Sequence, residues 1–95
     1  MSTILESAAE KLRGKLAGQN FEGSVRFDVP GEGSITADGQ GVRVAEDEAD
    51  LVVTGDIDTF RAMFDGELDP TQAFMTGKIT IDGDMGEAMK LAQYL

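Results

Sequence analysis

The strongest constraint on the fold is a strict alternation of apolar and polar residues between residues 23 and 29. Apolar side chains at every second position of an extended chain point to one side, so the segment predicts a half-buried strand whose core residues are Val25, Phe27 and Val29. Turn sequences at residues 30–33 and 38–41 separate it from two shorter strands, 34–37 and 42–44. Three strands joined by tight turns predict an antiparallel meander.

The apolar spacing becomes helical on both sides of this meander. The first predicted helix covers residues 3–17, with a capping box at Thr3 and Glu6 and a stop at Gly18. The later elements alternate strand and helix, namely a strand at 49–55, a helix at 57–64, a short helix at 70–74, a strand at 78–82 and a helix at 85–95. Since the 95 residues contain no repeat or linker, the sequence predicts one α+β domain, residues 1–95.

The charge of the chain argues against nucleic acid as a partner. Eight basic residues stand against 18 acidic ones, giving a net charge of -10, whereas phosphate backbones are bound by Lys and Arg. Residues 1–27 contain four of the basic and only three of the acidic residues. The first helix is therefore the part expected to make transient contact with an anionic membrane surface.

The composition also excludes several kinds of site. The chain has no Cys and no His, which removes disulfides, thiolate nucleophiles, thiolate-bound zinc and every catalytic arrangement that uses imidazole. The first residues lack the basic and long apolar regions of a signal peptide, so a cytoplasmic location is expected. No catalytic residue, metal site or cofactor is predicted.

The motifs that suggest phosphate or metal binding have simpler interpretations. Gly77-Lys78 is preceded by Gln72 where a phosphate-binding loop has glycine, and followed by Ile79 where it has Ser or Thr. The pairs Asp56/Asp58 and Asp82/Asp84 stand where helices begin, which favours helix capping over calcium binding. The acidic run at residues 46–48 is expected to be a solvated loop.

Soft apolar residues are concentrated in one part of the sequence. All four internal methionines and three of the five phenylalanines lie between residues 60 and 89. They could form an ordinary core, or an adaptable lining for an apolar ligand, because the flexible methionine side chain repacks around varied shapes. Composition and spacing leave both interpretations open.

The second half of the chain has a recognisable pattern, Gly66-x-x-x-Pro70-x-x-Ala73-Phe74-x-x-Gly77-Lys78-x-x-x-x-Gly83-Asp84, followed by an amphipathic helix. Together with residues 49–56 and the meander, it resembles the sterol carrier protein 2 family of lipid-binding domains. The resemblance implies a five-stranded, mainly antiparallel sheet with helices packed on one face, enclosing an apolar tunnel.

The resemblance further implies a non-enzymatic carrier for fatty acids, acyl-CoA or sterol-like lipids. The residues that it implies as the lipid-binding lining are Phe60, Met63, Phe64, Phe74, Met75, Met85, Met89 and Ala92. The alternative is a protein-interaction domain with a filled core that serves a lipid or quinone biosynthesis complex, in which case the partner is a biosynthetic enzyme.

Overall fold

The computed structural model describes residues 3–17 and 22–95. The described elements, in chain order, are α1 (Thr3–Leu16), β1 (Ser24–Val29), β2 (Gly33–Asp38), β3 (Gly41–Arg43), β4 (Leu51–Gly55), α2 (Ile57–Phe64), α3 (Pro70–Met75), β5 (Ile79–Gly83) and α4 (Met85–Tyr94). Each predicted helix and strand is present, with ends that differ by one or two residues. The predicted stop at Gly18 lies outside the described residues.

The five strands form one sheet in the order β3-β2-β1-β4-β5. The meander is confirmed, since β1 pairs with β2 and β2 with β3, both antiparallel. Strand β4 returns to the other side of β1 and pairs with it in parallel, and β5 then pairs with β4 in antiparallel fashion. Three of the four pairings are antiparallel, as the resemblance implies.

One face of the sheet carries the hydrophobic core. The register places Phe27 of β1 opposite Ile35 of β2 and Val53 of β4, and all three side chains are buried. Helix α1 covers this face beside β2 and β3, and it also packs against α2. The alternation seen in residues 23–29 therefore separates the core side of β1 from its polar side.

The opposite face of the sheet is polar, and the connection from β3 to β4 crosses it. Thr36 on this face is fully buried, and its hydroxyl donates to the carbonyl oxygen of Ala45 at 2.7 Å and accepts from the backbone N–H of Asp47 at 3.3 Å. The Arg26 guanidinium donates to the Asp47 carbonyl oxygen at 3.3 Å. Residues 46–48 are exposed as predicted, but the backbone of Asp47 is hydrogen-bonded to the sheet.

Carboxylates cap three of the helices, which confirms the capping interpretation of Asp56 and Asp84. Asp56 accepts from the backbone N–H of Thr59 at 2.7 Å at the start of α2. Asp69 accepts from Thr71 at 2.8 Å at the start of α3, and Asp84 accepts from Gly86 at 2.7 Å at the start of α4. Within the described residues, no helix combines the length and the apolar character that crossing a membrane requires.

The Thr36 hydroxyl gives a test of how firmly the crossing segment is held. Replacing Thr36 with Val keeps the shape of the side chain but leaves the Ala45 carbonyl and the Asp47 N–H without this partner, so the free energy of unfolding should fall by about 1–3 kcal/mol. Denaturant unfolding measures the change. Thr80→Val, at an exposed position on β5, is the control and should have a much smaller effect. Equal losses in both variants would contradict the assigned role of Thr36.

The Asp56 cap predicts sensitivity to acid. The backbone N–H and then the hydroxyl of Thr59 hold the pKa of Asp56 below its ordinary value of 3.8. A carboxylate with a lowered pKa in the folded state stabilises the protein above the unfolded-state pKa, and this contribution is lost as the pH falls through the folded-state pKa. The free energy of unfolding should therefore decrease below about pH 4, and less steeply in Asp56→Asn, since Asn also caps helices. Asp58→Asn, which leaves the cap in place, should follow the wild-type curve; an unchanged slope in Asp56→Asn would contradict the assignment.

Candidate functional site

A cavity of about 320 Å³ lies between α3, the end strand β5 and α4. Its lining is mostly apolar and comprises Pro70, Thr71, Phe74, Ile81, Met85, Ala88, Met89, Ala92 and Gln93. Ile81 stands opposite Val53 in the sheet, which places the cavity on the same face as the hydrophobic core. The cavity is therefore a continuation of the space between the sheet and its helices.

The cavity is open to solvent. Phe74 is 40% exposed, Met85 49% and Met89 69%, although all three contribute to the lining. Large apolar side chains at a concave, partly exposed surface are typical of a ligand site. The described residues form this open cavity, and the closed tunnel that the resemblance implies stays a prediction.

Local sequence determines how α3 and α4 frame the cavity. Pro70 begins α3 because its fixed φ suits the first helical position, and Asp69 caps the turn. Gly83 ends β5 with a φ of +135°, and a Cβ there would lie 2.6 Å from the carbonyl oxygen of Asp50. Only glycine fits this approach without distortion, so β5 can remain paired with β4 up to the residue before the cap of α4.

Four of the eight predicted lining residues meet at the cavity: Phe74, Met85, Met89 and Ala92. The three on α4 follow a helical spacing that keeps them on one side of the helix. They include Met85 at the first position of α4 and Met89 one turn later. Their contact with a lipid stays a prediction.

The three predicted lining residues on α2 lie in the hydrophobic core, outside this cavity. Phe60, Met63 and Phe64 are buried, and none of them contributes to the cavity. The ring of Phe27 packs edge to face against Phe60 at a centroid distance of 5.3 Å and against Phe64 at 5.1 Å. These contacts pack α2 against the sheet, and the role of the three side chains as a lipid lining stays a prediction.

Met75 lies outside the cavity. It is the last residue of α3, and its side chain is 78% exposed. Phe74, the preceding residue, contributes to the lining, whereas Met75 does not. Successive residues of a helix project in directions about 100° apart, and here Phe74 faces the cavity while the side chain of Met75 is exposed to solvent.

Sequence reasoning did not select five lining residues: Pro70, Thr71, Ile81, Ala88 and Gln93. Ala88 and Ile81 carry a usable signal, because Ala88 shares the apolar face of Met85 and Met89, and Ile81 lies on the core-facing side of β5. Pro70 and Thr71 show no such signal, since the start of a short helix is brought to the cavity only by tertiary packing. Gln93 is polar and has no signal for a place in an apolar lining.

The polar groups around the cavity are few. Thr71 and Gln93 are the polar side chains among the described lining residues. Asp69 and Asp84 each directly precede a lining residue, and each accepts a backbone hydrogen bond from its own helix. This set of groups can orient a polar headgroup by hydrogen bonding, while the remaining surface is suited to a hydrocarbon chain.

Comparison with known proteins identifies the kind of domain. The model of the SCP-2 sterol transfer family matches residues 2–95. The hydroxysteroid dehydrogenase-like protein 2 of Xenopus tropicalis is 38% identical over 96 residues, which cover 93% of this chain and 23% of that protein. The protein of the same name from Danio rerio is 52% identical over 48 residues, covering 50% of this chain and 12% of that protein. This chain thus spans less than a quarter of the length of these relatives.

Solved structures share the fold. The crystal structure of sterol carrier protein 2 like 2 from Aedes aegypti has a TM-score of 0.79 and 21% identity, and the match covers 97% of this chain and 96% of that one. The solution structure of the Aedes aegypti sterol carrier protein 2 in complex with palmitate has a TM-score of 0.76 and 20% identity, covering 99% and 96%. With the family match extending over residues 2–95, these likenesses establish that the chain belongs to the SCP-2 sterol transfer family.

Proposed function

We propose that this chain is a non-enzymatic lipid carrier that holds a lipid tail in the cavity between α3, β5 and α4. The observation that carries the proposal is the partly exposed apolar lining formed by Phe74, Met85 and Met89. A tail lying there would cover this surface, and each methylene removed from water contributes about 0.8 kcal/mol. The candidate ligands are fatty acids, acyl-CoA and sterol-like lipids.

The palmitate complex of the Aedes aegypti protein supports a fatty tail as the ligand class. The proposal does not extend to dehydrogenase activity, because the dehydrogenase-like relatives match over only 12 to 23% of their length in the two comparisons described. The chain also has no His or Cys to serve as a catalytic base or nucleophile. Its role is therefore binding and release of a lipid rather than its conversion.

A biosynthetic enzyme is a second proposed partner. Met75 is 78% exposed and lies outside the cavity, which favours contact with another protein, and the longer relatives carry a similar segment within a dehydrogenase-like protein. A pure interaction domain, in contrast to a carrier, would need no lipid. Native mass spectrometry of the purified protein separates the two, because a carrier should retain lipid from its host and an interaction domain should be a ligand-free monomer.

The remaining proposals concern location and membranes. The cytoplasmic location expected in the sequence analysis stays a proposal. Membrane contact through α1 has weaker support, since two of its cations are engaged within the protein. The Lys11 ammonium lies 2.6 Å from a carboxylate oxygen of Asp65, and Arg13 donates to the Val42 carbonyl oxygen at 2.9 Å and 3.1 Å. The half-exposed Ile4 is the apolar contribution that α1 could make.

The dependence of affinity on chain length tests the carrier proposal. Across a series of primary alcohols from hexanol to tetradecanol, the dissociation constant should fall by up to about fourfold for each added methylene, until the tail fills the cavity. Isothermal titration calorimetry or displacement of a fluorescent fatty probe measures the constants. Equal affinity for short and long chains would contradict binding in an apolar cavity.

A matched pair of methionines tests the position of the tail. Met89→Asp introduces a carboxylate into the lining, and its desolvation by a bound tail should weaken lipid binding by about tenfold or more. Met75→Asp introduces the same charge at an exposed methionine outside the cavity and should leave binding unchanged. Circular dichroism checks that both variants are folded. Equal loss in the two variants, or loss only in Met75→Asp, would place the tail elsewhere.

A further inference from the structure

We propose that the cavity selects lipids whose headgroup carries no negative charge, such as fatty alcohols and esters, over fatty acid anions. This inference rests on the proposed function and adds the chemical class of the ligand. It follows from three features of the molecule: the polar groups of the lining, the positions of the cations, and the backbone N–H groups beside the cavity.

The lining offers hydrogen bonds without positive charge. Its polar side chains are the hydroxyl of Thr71 and the amide of Gln93, and no Lys or Arg is among the described residues that form it. Residues 1–2 and 18–21, which lie outside the description, have no charged side chain. A hydroxyl or ester headgroup can hydrogen-bond to these two groups, whereas a carboxylate at this lining finds no cation to pair with among the described residues that form it.

The cations closest in sequence to the lining do not supply the positive charge that the lining lacks. Lys90 follows Met89 on α4, but its ammonium points to Glu87, whose carboxylate oxygen is 3.8 Å away. Lys78 precedes β5 and is not part of the lining. Arg26 and Arg43 are bound to aspartates on the polar face of the sheet, opposite the face that holds the cavity.

Two backbone donors beside the cavity are already used. The N–H groups of Thr71 and Gly86, at the starts of α3 and α4, donate to the carboxylates of Asp69 and Asp84 at 2.8 Å and 2.7 Å. The charges of these two aspartates, within a chain of net charge -10, repel an anionic headgroup.

The first experiment compares two ligands that differ only in the headgroup, dodecanol and dodecanoate, by titration of the wild-type chain at neutral pH and low salt. Dodecanol should bind more tightly by on the order of tenfold. Equal or tighter binding of dodecanoate would overturn this inference while leaving the carrier proposal intact. Binding of neither ligand would overturn the carrier proposal and this inference with it.

The second experiment tests the aspartates as the cause. In the double variant Asp69→Asn with Asp84→Asn, both helix caps are retained because Asn is also a good cap, but two negative charges are removed. Dodecanoate should then bind about threefold more tightly, with little change for dodecanol. The control is Glu32→Gln with Asp58→Asn, which removes two charges from residues outside the lining and should change neither constant. An unchanged ratio of the two affinities in the Asp69 and Asp84 variant would overturn the inference.

Discussion

The packing of Phe27 against Phe60 and Phe64 determines where this domain can hold a ligand. Phe27 lies on the central strand β1, and the two α2 rings meet it edge to face while stacking on each other at a centroid distance of 6.0 Å. Such aromatic contacts fix side chains in one arrangement and leave little empty volume. These contacts pack α2 closely against the middle of the sheet, whereas among the described residues the apolar cavity of about 320 Å³ lies toward β5, between the short helix α3 and α4.

The polar face of the sheet holds the segment that connects β3 to β4. Because β1 and β4 are parallel, the chain must cross from the edge strand β3 over β2 and β1 to reach the position of β4. Residues 44–50 make this crossing without a helix, and Thr36 supplies a donor and an acceptor to their backbone. Arg26 and Ser34 bind Asp28 on the same face. These polar side chains are therefore engaged in hydrogen bonds within the protein.

The helices and strands could be predicted from the sequence because the strand, turn and helix-capping patterns agreed with one another. The alternation at residues 23–29, the turn sequences and the caps at Asp56, Asp69 and Asp84 all specify local geometry, which is where sequence patterns are most informative. The parallel pairing of β1 and β4 was not predicted. The family resemblance implies a mainly antiparallel sheet without naming a parallel pair, and residues 51–53 are equally suitable for either direction.

The residues of the cavity were harder to predict from the sequence. Helical spacing identifies the apolar face of a helix but does not show whether that face packs against the core or lines a cavity. Phe60 and Met89 both lie on apolar helix faces, yet Phe60 meets the ring of Phe27 while Met89 meets a cavity. An enclosed dry void of about 320 Å³ would cost roughly 8 kcal/mol, comparable to the whole stability of a small domain. An open mouth admits water and avoids most of that cost. The exposure of Met85 and Met89 therefore allows this small domain to keep the cavity and remain folded while the cavity is empty of lipid.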